Sequence, residues 1–163
     1  MNGLSSKTLR FGISTATFLA IAGSFVISKP PQAIAQAQTQ TQSSQVQKLL
    51  KTKQCPGCNL SGANLQNADL DEANLQGANL QNANLQNADL EEANLQGANL
   101  QGANLIHVDL EKANLQSANL QQASLQRADL EGANLTKANI TGANLQQAEF
   151  ENTVMPDGAI RNN

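Results

Sequence analysis

From residue 58 onward the apolar positions keep one unbroken beat. A large apolar residue recurs every fifth position from Leu60 to Phe150, nineteen centres in phase, and all but Ile140 and Phe150 are Leu. Two residues before each centre stands Ala, except at Cys58 and Val108. An α-helix cannot use this spacing, because five residues advance about 140° net around its axis and would spread the Leu side chains over every face. One long strand fails as well, since an odd period sends successive Leu residues to opposite faces. A three-residue strand A-(N/D)-L succeeds. It puts Ala and Leu on one face and the Asn or Asp on the other. The two residues that follow must then turn a corner. The pattern predicts short edges and corners wound around a core of Ala and Leu, an all-β solenoid.

The carboxylates set the number of edges per coil. The residue before the centre is acidic at Asp69, Asp89, Asp109, Asp129 and Glu149, and the residue after it at Asp71, Glu91, Glu111, Glu131 and Glu151. With Glu72 and Glu92, twelve of the thirteen acids fall on every fourth unit. Four units per coil stack them on one side of a square prism, whereas three or five would scatter them. Duplication of a twenty-residue segment would give the same rhythm without that geometry. Nineteen units then make about five coils spaced at about 4.8 Å. Four Leu and four Ala per coil fill the interior and leave no room for a pocket. Asn columns such as Asn59, Asn79, Asn99, Asn119 and Asn139 are placed to bond to the backbone and to one another, and Gly at corners suits a positive φ.

The repeated "ANLQG", "ADLEE" and "ANLQN" resemble the pentapeptide-repeat family, over residues 58–155. The resemblance implies a right-handed quadrilateral β-helix, often closed at its N-terminus by a short helix. It also implies kinship with exported cyanobacterial proteins of the thylakoid lumen or periplasm. No single activity belongs to the whole family. Some members imitate the charge of DNA and bind gyrase, a role that the export reading below argues against.

Ahead of the repeats the pattern changes character. Lys7 and Arg10 precede the apolar run "FGISTATFLAIAGSFVI", and Ala33 and Ala35 form an A-x-A site. That order reads as a secretory signal peptide over 1–35, cut after Ala35, with Ala37 nearly as good. The run is diluted by Gly, Ser and Thr and is shorter than the roughly 20 residues a membrane span prefers, so no stable insertion is expected after cleavage. Residues 36–45, "QAQTQTQSSQ", read as a flexible polar linker. Val46, Leu49 and Leu50 then recur at helical spacing, which predicts a short capping helix and a CPGC junction over 46–57, with Ser43 or Ser44 as N-cap. At the far end Phe150, Val154, Met155 and Ile160 are expected to cover the last coil or to join two rods end to end. An Asp157-Gly158 turn falls in the tail, 156–163.

Composition and charge narrow the chemistry. Aromatics are 2% of the chain, with no Trp or Tyr, which excludes a core built around large rings. Removing Lys7, Arg10 and Lys29 with the signal leaves seven basic residues against thirteen acids, a net charge of −6. Such a protein does not suit nucleic-acid phosphate or anionic lipid. Cys55 and Cys58 read as a redox couple, half a metal site, or a structural pair. Two Cys and one distant His are too few for zinc, and the βαβ setting of a thioredoxin is absent. Cys58 holds an Ala slot and Cys55 a centre slot, so a disulfide or a pair of buried thiols between helix and first coil is expected. His107 reads as a tolerated corner residue and Val108 as a local bulge in the wall. No catalytic constellation and no cofactor site is legible. The two acidic columns remain the candidate surface: a docking face for a partner, basic by complementarity, a weak divalent-cation or stress-buffering stripe, or a charge that only keeps the rod soluble.

Overall fold

The computed structural model describes residues 31–162, with side chains from Thr39 onward. Most of the expected signal peptide, 1–30, therefore lies outside the described residues. No helix among those described is long and apolar enough to cross a membrane.

Throughout the repeats, pairing is parallel and joins residues twenty apart: Asn59 to Asn79, Asn64 to Asn84, Asp69 to Asp89, Asn74 to Asn94. Four pentads thus make one turn of the solenoid. In each pentad a single residue forms the bridge. Its N–H donates to the carbonyl of the Ala slot one coil back, as Asn79 does to Cys58 at 2.8 Å. The neighbouring Leu donates forward, as Leu60 does to Asn79 at 2.7 Å. Ala and Leu flank the bridge and face inward, so the columns from Leu60 to Leu135 are almost wholly buried. At about 2 kcal/mol per buried Leu this column is the main stabilising contribution.

Each corner is closed by a bond from the next Ala N–H to the preceding Leu carbonyl, 3.0 Å for Ala98 to Leu95. The second corner residue has positive φ: +66° at Gly97, and 54° at Glu92 in the equivalent place. That sign pattern is the mark of a type II turn, which favours Gly or Asn there. Other residues are strained in this region by roughly 1 kcal/mol. His107 is one of them, exposed with φ 56°.

Val108 does not produce the expected bulge. The bridges Asp89 to Asp109 and Asp109 to Asp129 keep register on either side of it. The extra methyl groups are absorbed inside the wall, and the corner bond Val108 N–H to Leu105 lengthens to 3.3 Å.

Helix α1 (Pro31–Thr52) is longer than expected and runs through residues 36–45, which the sequence suggested as a linker. Ala and Gln are good helix formers, and Pro suits a first helical position. Ser43 and Ser44 are therefore interior, and the Ser44 hydroxyl donates back to the Thr41 carbonyl. The polar residues are also tied down. Gln45 Oε1 accepts the Asn59 N–H at 2.7 Å, and the Gln42 side chain donates to the Ser61 carbonyl. Leu49 is fully buried in the solenoid core. The helix ends at Lys53, whose positive φ of 53° and 2.7 Å bond from its N–H to the Leu49 carbonyl form an αL cap.

At the C-terminus the register continues one unit beyond Phe150. Thr153 takes an Ala slot, fully buried with its hydroxyl donating to Leu130 at 2.6 Å. Val154 bridges Asn134 in the parallel register. Strand β1 (Thr153–Val154) then pairs antiparallel with β2 (Ile160–Arg161) through a turn at Asp157-Gly158. Alternation in β2 sends Ile160 outward, 66% exposed, where cover was expected of it. Arg161 instead lies over the Phe150 ring, 3.8 Å from its centroid. The last coil stays partly open. Ile140 and Leu145 are only half-buried, and the N–H groups of Ile140, Gly142, Leu145, Gln147 and Phe150 have no acceptor among the described residues.

Leu100→Ala, in the closed middle of the column, is expected to lower stability by about 3 kcal/mol, and Leu145→Ala, at the open end, by about 1 kcal/mol. Gly97→Ala meets no atom within 4 Å. It should therefore cost only the backbone strain, about 1 kcal/mol. Urea denaturation of the three variants measures all of these.

Candidate functional site: an acidic wall and a cystine corner

The stacking of the acids follows from the twenty-residue pairing. Asp69, Asp89, Asp109, Asp129 and Glu149 are successive rungs of one bridge ladder. Asp71, Glu91, Glu111, Glu131 and Glu151 occupy the corner beside it, held in line by bonds such as Glu92 N–H to the Glu111 carbonyl at 2.8 Å. All ten residues singled out in the sequence lie on one wall.

Side-chain bonding separates two walls from the other two, since Asn74, Asn94 and Asn114 of a third wall keep only their corner bonds, as the acidic column does. Asn79, Asn99 and Asn119 each accept a backbone N–H two residues on and donate to the Asn one coil back at 3.1–3.3 Å. Asn84 and Asn104 do the same on another wall. Asp89, Asp109 and Asp129 keep the first bond, accepting from Glu91, Glu111 and Glu131 at 2.9–3.0 Å. A carboxylate has no N–H to donate, so the second bond is lost. Stacked carboxylates about 5 Å apart also repel by about 0.9 kcal/mol per pair in water. The acidic column is thus a local loss relative to Asn at the same positions.

Two lysines, which the sequence reading did not place, divide the wall. Lys53 Nζ reaches Asp69 at 2.7 Å and also pairs with Asp71. Hydrogen bonds donated to these carboxylates, Asp69 first, raise the Lys53 pKa well above its ordinary value, and the Lys53 ammonium holds Asp69 below the usual carboxylate range. Lys112 lies 2.5 Å from Glu111 and 3.5 Å from Glu91, and Glu111 is the main cause of its raised pKa. Lys112 stands in the slot that Glu72 and Glu92 hold in earlier coils, so its place could be found by twenty-residue alignment. Lys53 depends on the αL cap and could not. Asp109, Asp129, Glu131, Glu149 and Glu151 have no cationic partner among the described residues. Glu72, Asp89 and Glu92 likewise have none, so unpaired carboxylates run the length of the wall.

No group of three or more His, Cys, Asp or Glu among the described residues is gathered so that it could hold a metal ion. The wall offers a line of separate carboxylates to any cation. Cys55 and Cys58 are joined as a disulfide, with Cα atoms 5.3 Å apart. They span a corner of the ordinary kind, closed by Cys58 N–H to the Cys55 carbonyl at 3.2 Å.

Square coils of four pentads around a filled Leu and Ala core, with chemistry confined to the walls, define a quadrilateral β-solenoid. The chain belongs to the pentapeptide-repeat family, whose repeats match residues 58–97, 93–132 and 113–152. Proteins of this family form right-handed quadrilateral β-helices. Among solved structures, the pentapeptide repeat protein Rfr23 from the cyanobacterium Cyanothece 51142 is 33% identical, with a TM-score of 0.58, covering 72% of this chain and 97% of its own. A pentapeptide repeat protein of the Arabidopsis thaliana thylakoid lumen, AT2G44920, is 31% identical, with a TM-score of 0.45, covering 64% of this chain and 70% of its own. No curated protein matches the chain.

Asp109→Asn keeps the backbone bond, removes the repulsion with Asp89 and Asp129 and gains an amide that can donate to the Asp89 carboxylate, so it is expected to stabilise the fold by about 1 kcal/mol in thermal or urea unfolding. The Lys53–Asp69 pair gives a pH dependence of defined sign. Asp69 is lowered, so its contribution is present above the ordinary Asp pKa and is lost as pH falls through the lowered value. Lys53 is raised, so its contribution is present below the ordinary Lys pKa of 10.5 and is lost only as pH rises through a still higher value. Lys53→Met should therefore remove part of the stability loss seen on acidification and leave the profile between pH 6 and pH 9 flat, as followed by unfolding midpoints across pH.

Proposed function

We propose that the protein is a non-enzymatic, exported scaffold of the periplasm or thylakoid lumen that docks a basic protein segment on its acidic wall. The observation that carries this reading is that ten carboxylates stack in two aligned columns on one wall, with Asp89, Asp109, Asp129, Glu131, Glu149 and Glu151 lacking a cationic partner among the described residues. A flat, rigid row of charge at fixed spacing favours association with a complementary, extended basic segment, with a steep dependence on salt. The signal-like N-terminus and the likeness to cyanobacterial relatives support the exported setting. The Leu and Ala core supports a role carried by the walls, because it places only hydrocarbon in the interior.

A fluorescent Lys- and Arg-rich peptide of extended conformation tests the wall. Binding is expected to weaken about tenfold in the combined Asp109→Asn, Asp129→Asn, Glu131→Gln protein and with rising ionic strength. Equal binding by that variant would remove the wall from the proposal. Calcium raising the melting temperature beyond what sodium does at matched ionic strength would transfer the wall's role to cation binding. The open last coil is the corresponding place for a second copy to stack end to end. Leu145→Lys should then shift sedimentation from dimer toward monomer, and a monomeric parent protein would exclude that contact.

A further inference from the structure

The later corners of the solenoid close with the same bond between adjacent units and carry no cross-link, as at Ala63 to Leu60, 3.0 Å. The Cys55–Cys58 disulfide is therefore not needed to make its corner, and a ring this small removes little chain entropy from the unfolded state. Its position suggests another use. Cys55 is fully buried and lies in one core cluster with Leu49 of α1. Its Sγ is 3.6 Å from the Gln45 backbone oxygen in that helix. Two further ties of α1 go to Asn59 and Ser61, immediately beyond Cys58. The cystine thus pins the short segment on which α1 rests.

We propose that Cys55–Cys58 is a redox-sensitive latch that couples docking of α1 to thiol–disulfide exchange with an external dithiol. Pro56 and Gly57 are exposed, and Cys58 is the less buried residue of the pair, at 8% against 0% for Cys55. A thiolate of the dithiol attacks Cys58 Sγ, the S–S bond breaks, and Cys55 leaves as a thiolate that takes up a proton. The second thiol of the reductant then attacks the mixed disulfide, releases Cys58, and closes its own disulfide. Two electrons and two protons pass to the protein. The leaving Cys55 thiolate is disfavoured in its apolar site, so exchange is fastest when α1 lifts. After reduction, two thiols at van der Waals separation need more room than one cystine. The displaced Cys55 sulfur meets Gln45 and Leu49, which weakens the seat of the helix.

Hydrogen exchange by mass spectrometry on the full chain, oxidised and fully reduced with a phosphine, tests the latch. Exchange across residues 42–53 is expected to rise about tenfold on reduction while the middle coils are unchanged. A Cys55→Leu, Cys58→Ala protein, carrying the residues usual at these slots, should show the same exchange with and without phosphine. Unaltered protection of α1 in the fully reduced parent protein would overturn the proposal. A second arm measures the rate of reduction itself. Leu49→Ala should accelerate it about tenfold by loosening α1, and an unchanged rate would equally overturn the coupling.

Discussion

The bond from each Leu N–H to a bridge carbonyl nineteen residues ahead is the constraint on which the rest of the structure depends. It recurs at 2.7–3.1 Å from Leu60 to Leu135. A pentad buries only one Leu and one Ala, too little to hold any conformation alone. Stacking one coil on the next supplies both the backbone partners and the second half of each hydrocarbon contact. Stability in such a fold is a sum of neighbour contacts along one dimension. The middle coils gain on both sides, and the ends gain on one. That difference explains why Leu100 is sealed while Leu145 is half-open.

The walls are set by the same repeat but obey different chemistry. An Asn side chain in the bridge position has both a carbonyl and an amide. It can close its own corner and still donate to the coil below. Exchange of Asn for Asp preserves the corner, which is why Asp89, Asp109 and Asp129 leave the backbone undisturbed. It removes the link between coils and adds repulsion. A rigid backbone thus tolerates a charged wall that a looser fold would splay apart. Lys53 and Lys112 offset the repulsion at Asp69, Asp71, Glu91 and Glu111 and leave the other carboxylates of the wall without a cationic partner among the described residues.

The two ends solve the exposed-edge problem unequally. At the N-terminus, α1 lays Leu49 on the core and ties Gln42 and Gln45 to the first coil, with the cystine beneath. At the C-terminus, a hairpin covers the wall above Asn134, and Arg161 covers Phe150 in place of an aliphatic side chain. Backbone donors on the other walls remain open, and such edges favour further strand pairing.

How much was legible in the sequence follows from the range of each signal. The five-residue beat of Leu and the twenty-residue beat of acids are periodic, so one sequence carried nineteen copies of the evidence for the core and five for the coil and its charged wall. Single, unrepeated features were harder to read. Residues 36–45 look like a linker by composition, yet they are helical, with Gln42 and Gln45 fastened to a coil that is remote until the solenoid forms. Val108 looks too large for an Ala slot, and only the actual wall shows that the register absorbs it. Lys53 becomes part of the acidic wall through a helix cap of positive φ, a backbone choice that no side-chain pattern announces. Local period alone determined the architecture, because every unit repeats the same inward hydrocarbon pair. Tertiary structure decided the ends and the partners of individual charges, because these depend on contacts between segments that the repeat does not relate.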